Sequence, residues 1–441
     1  MSVAYTSTIV IFSFFSLMIL GLPVAFCLIG CAAIFTLAFW NPAAIYMTAT
    51  TIFNISTQDI FLAIPLFVFL AAVLESSGIV ENLYDMFYKW FGQVRGGLAI
   101  GSVLMCTVCD AISGLGATGI VTVGPIAMPE MFKRRYDKRL SIGSIAAGSA
   151  LGPLIPPSVI MIIISGYTGL SVGKLFAAGL FPGLLCSAGF CLYIATACLI
   201  RPNMGPAFIG DRPVHWHDRI ASLKAVCLPL LLILAVMGSI YTGICTPTEG
   251  AAIGAAGALL CSAFNRRLNT MTLYKAGIQS VKITCMVMWL LIGGSMFASL
   301  LSALQIQQAL GSFLTGIQSS LGSTGLLFVI LGIVFIMGMF IDGAAITVLT
   351  MPVFWPVIER TGIDPLLFGA LFTTDIVIGY LTPPFGMNLF YAKGITPPHI
   401  NMGDIYTSIF PYVAIMTGVM MLMIYFPEIA VWLPNNLTLT K

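Results

Sequence analysis

The chain has 441 residues, of which 19 are Lys or Arg and 16 Asp or Glu, a charged share of 8% against roughly 25% in a soluble domain. With 59% apolar residues and a mean hydropathy of +1.02, it has too little polar surface to cover a globule in water, which excludes a soluble enzyme or a nucleic-acid binder. At about 20 residues per crossing, a chain of this length supplies about a dozen helices, so the expected class is an all-α polytopic protein of the lipid bilayer.

The first apolar stretch lacks a basic leader and a small-residue cleavage pattern, and is expected to be a retained helix. Apolar runs predict spans at 4–21, 23–40 and 58–76. From Ile79 to Gly92 the pattern turns amphipathic, with Ile79, Leu83, Phe87 and Trp90 opposite Glu81, Asp85 and Lys89, as in a helix lying in the membrane interface. Residues 97–131 are apolar but interrupted by Ser113-Gly114-Leu115-Gly116-Ala117-Thr118-Gly119, which predicts a hairpin that enters and returns. The next span, 140–166, is broken at Gly152-Pro153-Leu154-Ile155-Pro156-Pro157, because consecutive prolines delete backbone donors. A span at 174–200 and a polar loop at 201–224 close the first half.

The second half repeats this order: spans at 225–242, 246–264 and 278–301, an amphipathic stretch at 304–321, a hairpin at 324–357, a broken helix at 364–394 and a last span at 405–428. Pro125, Pro129, Pro156 and Pro157 recur at one constant offset as Pro352, Pro356, Pro383 and Pro384, without a gap. Residues 1–214 and 215–441 therefore read as two repeats. Each has five crossings and one hairpin, and an odd count of crossings inverts the second, the plan of secondary transporters that bind solute at discontinuous helices near the midplane. Tracing the crossings puts 16 of the 19 basic residues on one face and leaves Lys174, Arg360 and Lys441 on the other. The basic face is then cytoplasmic, with both termini outside.

Irregular backbone at membrane depth is tolerated only inside protein or against a wet cavity. It occurs here in two pairs, each joining a hairpin tip to a break. Freed carbonyls together with Ser113, Thr118 and Asp342 suit a hard cation such as Na+, while helix N-termini suit an anion between the two sites. The candidate ion positions are Ser113, Gly114, Gly116 and Thr118 at the first tip and Gly152, Pro153 and Pro156 at the first break. Their partners are Asp342, Gly343 and Ala344 at the second tip and Gly379, Thr382 and Pro383 at the second break. Candidate solute contacts are Thr118, Ser158, Thr373, Asp375 and Asn388. Each has a plainer alternative: Asp342 as a helix cap, Asp375 as a structural hydrogen-bond partner, and the hydroxyls bonded back to their own helices. Asp110 is a third intramembrane acid. Thr246-Pro247-Thr248-Glu249 is a capping box. His215-Trp216-His217 offers two metal-type ligands without a third, and Cys106 and Cys109 form one CxxC without a partner pair, so neither implies a metal site.

Several of these segments resemble the large membrane subunit, of the DctM kind, of tripartite ATP-independent periplasmic (TRAP) transporters. They are Gly21-Leu22-Pro23, Ile64-Pro65-Leu66-Phe67, Ser113-Gly114, Leu151-Gly152-Pro153-Leu154-Ile155-Pro156-Pro157-Ser158, Leu175-Phe176-Ala177-Ala178-Gly179, Thr246-Pro247-Thr248-Glu249 and Thr382-Pro383-Pro384-Phe385-Gly386-Met387-Asn388-Leu389-Phe390. The resemblance covers nearly the whole chain, in order. It implies Na+-driven uptake of a small organic anion, a carboxylate or sulfonate, across the bacterial inner membrane. It also implies a soluble periplasmic substrate-binding protein, a small four-helix membrane subunit, and an elevator in which hairpins and broken helices move against a scaffold. Na+ would sit where the hairpin tips meet the breaks. One departure is Gly114-Leu115-Gly116, where many members carry a Ser-rich tip. The rival within transport is a stand-alone Na+/dicarboxylate or citrate symporter of related architecture; an intramembrane enzyme would need a nucleophile with a base, or a metal cluster, and none of the familiar motifs for these occurs.

Overall fold

The computed structural model describes residues 3–40, 45–114, 116–207 and 215–437. Leu115, Arg212, Lys441 and the end of the first half lie outside them. Among the described residues the chain is helical throughout, without a strand.

The first half opens with α1 (Val3–Ile19), α2 (Val24–Phe35, continued by a wider turn over Thr36–Trp40), α3 (Ile45–Ser56) and α4 (Ala63–Ser76), which a short 3-10 turn at Asp59–Leu62 introduces. Helix α5 (Ile79–Phe91) starts after Gly78 in the left-handed region, φ +82°. It buries Ile79, Val80, Leu83 and Met86, while Lys89 pairs with Asp85 at 2.6 Å on the other face. The first hairpin is α6 (Gly97–Ser113) and α7 (Thr118–Lys133). The first broken helix is α8 (Lys138–Ala150) and α9 (Val159–Thr168), followed by the long α10 (Val172–Ile200).

The second half runs α11 (Trp216–Tyr241), α12 (Pro247–Phe264), α13 (Thr270–Ala303), α14 (Ile306–Gly338), α15 (Gly343–Thr361), α16 (Pro365–Tyr380), α17 (Met387–Ile395), α18 (Met402–Tyr425) and α19 (Glu428–Asn436). The 33 residues of α14 are not one rod: Gly322, at φ 74° and ψ 177°, divides an amphipathic segment from the first arm of the second hairpin.

Element boundaries recur at the offset of the prolines. Ile79 begins α5 and Ile306 begins α14; Lys138 begins α8 and Pro365 begins α16. The caps recur too: Asp137 accepts from the N–H groups of Arg139 and Leu140, and Asp364 from those of Leu366 and Leu367. Such aspartates satisfy donors that the first helical turn leaves without partners. Thr246 and Glu249 form the expected capping box, with the Thr246 N–H donating to the Glu249 carboxylate at 2.8 Å and the Glu249 N–H to the Thr246 hydroxyl at 3.3 Å.

Among the described residues, five helices are by themselves long and apolar enough to cross a bilayer. The arms of the broken helices, α8, α9, α16 and α17, are shorter and come in pairs. The two halves interlock. Helices α2 and α4 pack on α13, and α4 also on α12; α7 packs on α17, α9 on α15 and α10 on α16.

Three elements depart from the sequence reading. Helix α3 occupies residues read as a connection, because its Thr48, Thr50, Thr51 and Asn54 dilute the apolar run; it buries Ile55. Its counterpart in the second half is fused into the 34-residue α13, whose Thr272 and Ala303 stand at the same offset from Ile45 and Ser76. Helix α11 starts at Trp216 inside the predicted polar loop, with the Asp218 carboxylate accepting the His215 N–H at 3.3 Å. Helix α19 follows the last span and packs on α10.

Candidate functional site

At the first hairpin tip, Gly114 adopts φ +67° and its N–H donates to the Asp110 carbonyl at 2.8 Å. A Cβ at Gly114 would lie 2.4 Å from the Pro157 carbonyl oxygen, so the tip meets the first break backbone to backbone. Asp110 is fully buried, and its carboxylate accepts the Gly119 N–H at 2.9 Å. It caps the return arm from the arm before it. Ser149 of α8 joins in, with its Oγ accepting the Ile120 N–H at 3.1 Å.

The second tip is closed from its own sequence. Asp342 caps α15 by accepting the Ala344 N–H at 3.0 Å, and its other oxygen accepts from the Tyr380 hydroxyl at 3.2 Å. The same hydroxyl accepts the Gly343 N–H at 2.7 Å. Behind it, a Cβ at Gly379 would lie 2.7 Å from the Gly338 Cα, and the Gly386 N–H donates to the Met339 carbonyl at 3.0 Å. The Tyr380 ring also faces the first tip, 3.3 Å from where a Cβ on Gly116 would stand. One side chain thus touches both hairpins.

Between the tips lies a cavity of about 460 Å³, within the range of small-molecule sites. Its wall takes Gly114, Gly116 and Thr118 from the first hairpin, Pro153 from the first break, Asp342 and Ala344 from the second hairpin, and Asn388 from α17. Val159 and Ile160 of α9 complete that side. The wall therefore collects the N-terminal turns of α7, α9, α15 and α17. The positive ends of their helix dipoles favour a negative group there.

The other candidate positions lie behind the wall. Ser113 is buried with its Oγ donating to the Asp110 carbonyl at 3.3 Å. Ser158 donates to the Pro153 carbonyl and caps α9 by accepting the Met161 N–H at 3.3 Å. Thr373 and Thr382 bond back to Gly369 and Ile378 at 2.8 Å each, the plainer alternative for a helical threonine. Asp375 is buried with its Oδ2 lacking a hydrogen-bond partner, outside the cavity. Gly152, Pro156, Gly343, Gly379 and Pro383 belong to the tips and breaks without lining the cavity.

Sequence reasoning missed part of the lining: Glu75, at the end of α4, Gln279 and Ile283 of α13, Tyr380 and Tyr391 also border the cavity. A lone acid closing an otherwise apolar span was the available signal.

Helices, hairpins and breaks in this arrangement define a polytopic membrane transporter. The family model described as the tripartite ATP-independent periplasmic transporter, DctM component, matches residues 11–429, and the chain belongs to that family. It is 32% identical over 408 residues to the C4-dicarboxylate TRAP transporter large permease protein of Pseudomonas aeruginosa, covering 92% of this chain and 93% of that one. It is 33% identical over 374 residues to the ectoine TRAP transporter large permease protein of Halomonas elongata, covering 84% and 85%. The crystal structure of the Alcanivorax borkumensis YdaH transporter shares the fold, with a TM-score of 0.56 at 13% identity over 91% of this chain and 97% of that one. The chain is a permease component rather than an enzyme.

Proposed function

We propose that the chain is the large permease of a Na+-coupled uptake system for a small carboxylate- or sulfonate-bearing solute, working as an elevator. The observation that carries the reading is the convergence of four helix N-terminal turns from two hairpins and two broken helices on one cavity. They supply an anion site without a basic side chain.

Coupling to Na+ is supported by the donors around the tips: the Thr118 hydroxyl, the Asp342 carboxylate and the peptide carbonyls of the breaks are all oxygens, as a hard cation needs. The recurrence of caps and element starts at one constant offset supports two inverted repeats, 1–214 and 215–441. With five crossings per half, the basic clusters lie in the cytoplasm and both termini outside an inner membrane. The word tripartite in the family description supports two further components, which we take to be a small four-helix membrane subunit and a soluble periplasmic binding protein. Two relatives of nearly equal similarity are named for a C4-dicarboxylate and for ectoine, so similarity alone does not choose the solute.

The test is uptake by proteoliposomes holding this chain, the small subunit and the binding protein. Accumulation should require an inward Na+ gradient; equal accumulation without it contradicts the coupling.

A further inference from the structure

The anion site leaves the Glu75 side of the cavity without a task. The Glu75 Oε1 is shielded from solvent and has no hydrogen-bond partner. Asn388 is 1% exposed and its amide nitrogen has no acceptor. Both residues line the same space. An unpartnered buried donor and an unpartnered carboxylate oxygen bordering one cavity are each costly unless a ligand completes them.

The two ends call for opposite charges. Asn388 sits in the first turn of α17, among the helix N-termini, and suits a carboxylate. Glu75 suits a cation. Asp342 differs in that each of its oxygens already accepts a hydrogen bond from the protein. Among the described residues no Lys or Arg lines the cavity, so the second carboxylate of a dianion would face Glu75 with nothing to compensate it. Like charges at close range in a low-dielectric cavity repel strongly.

We infer that the solute is a zwitterion, with its carboxylate at Asn388 and the helix N-termini and a positively charged nitrogen at Glu75, which makes Glu75 a specificity-determining residue. The inference rests on the proposed anion site and narrows its solute class to amino acids and betaines over dicarboxylates.

The experiment is thermal stabilisation of the purified full chain in detergent by two probe sets: 4-aminobutyrate, proline and glycine betaine against succinate, malate and butyrate. Each is measured in sodium chloride and in potassium chloride. One or more zwitterions should stabilise the wild type where the acids do not. Glu75→Gln should weaken that response about tenfold or more, as expected for losing one partner of a desolvated charge pair, and Glu75→Asp should restore part of it. Stabilisation by the acids alone, by neither set, or an undiminished zwitterion response in Glu75→Gln overturns the inference. A zwitterion response equal in both salts supports the inference and removes Na+ coupling from the proposed function, which separates the two claims.

Discussion

Tyr380 donates its hydroxyl proton to the Asp342 carboxylate at 3.2 Å while accepting the Gly343 N–H at 2.7 Å, so the end of α16 holds the tip of the second hairpin. Tyr380 is 4% exposed. Tyr380→Phe leaves a buried N–H and a carboxylate oxygen short of a partner, at about 1–3 kcal/mol per group. Unfolding of the purified protein should shift to milder conditions and uptake should fall; unchanged unfolding would show that the tip is held by other contacts.

Gly379 and Gly338 bring the second break and the first arm of the second hairpin into backbone contact, with only 2.7 Å between the place a methyl group at Gly379 would take and the opposite Cα. Gly379→Ala forces the two apart and is expected to cost about 1–3 kcal/mol by overpacking. Gly418, with open space around its Cβ position, provides the control. Gly418→Ala should leave the yield of monodisperse protein intact while Gly379→Ala lowers it.

Asp110 serves the first hairpin as an acceptor for the Gly119 N–H at 2.9 Å. Asp110→Asn keeps an oxygen for that bond, whereas Asp110→Ala orphans a buried donor and opens a cavity. Asp110→Ala should be the more destabilised by about 1–3 kcal/mol. Equal unfolding of the two variants would assign Asp110 a role that depends on its charge.

The capping box of α12 stands apart from the cavity. Thr246→Ala should cost about 1 kcal/mol of stability and leave the KM for uptake unchanged. A changed KM would link this helix start to the site.

The pairing of tips with breaks was legible from composition and proline spacing, because Gly-Pro runs in an apolar chain have few physical readings. The solute-facing residues were harder to read. Thr118 and Asn388 reach the wall because each lies in the opening turn of a helix, whereas Thr373 sits mid-helix, where its hydroxyl finds the Gly369 carbonyl. Asp342 proved to be a cap, a role its position before an apolar helix start already allowed. Glu75 and Gln279 were missed because they lie on α4 and α13, helices with no break to mark them, and only tertiary packing brings them to the cavity. Helix α3 was missed because hydropathy alone does not separate a polar helix from a connection.

The proposal that one site, built by both hairpins, opens to the two sides of the membrane in turn is tested most directly by labelling. Thr118→Cys is treated with a membrane-impermeant maleimide, in a chain whose exposed Cys227 and Cys285 are replaced by Ser. Labelling is expected from either face of the membrane, suppressed from both by Na+ together with a transported solute. Labelling confined to one face under every condition would contradict alternating access.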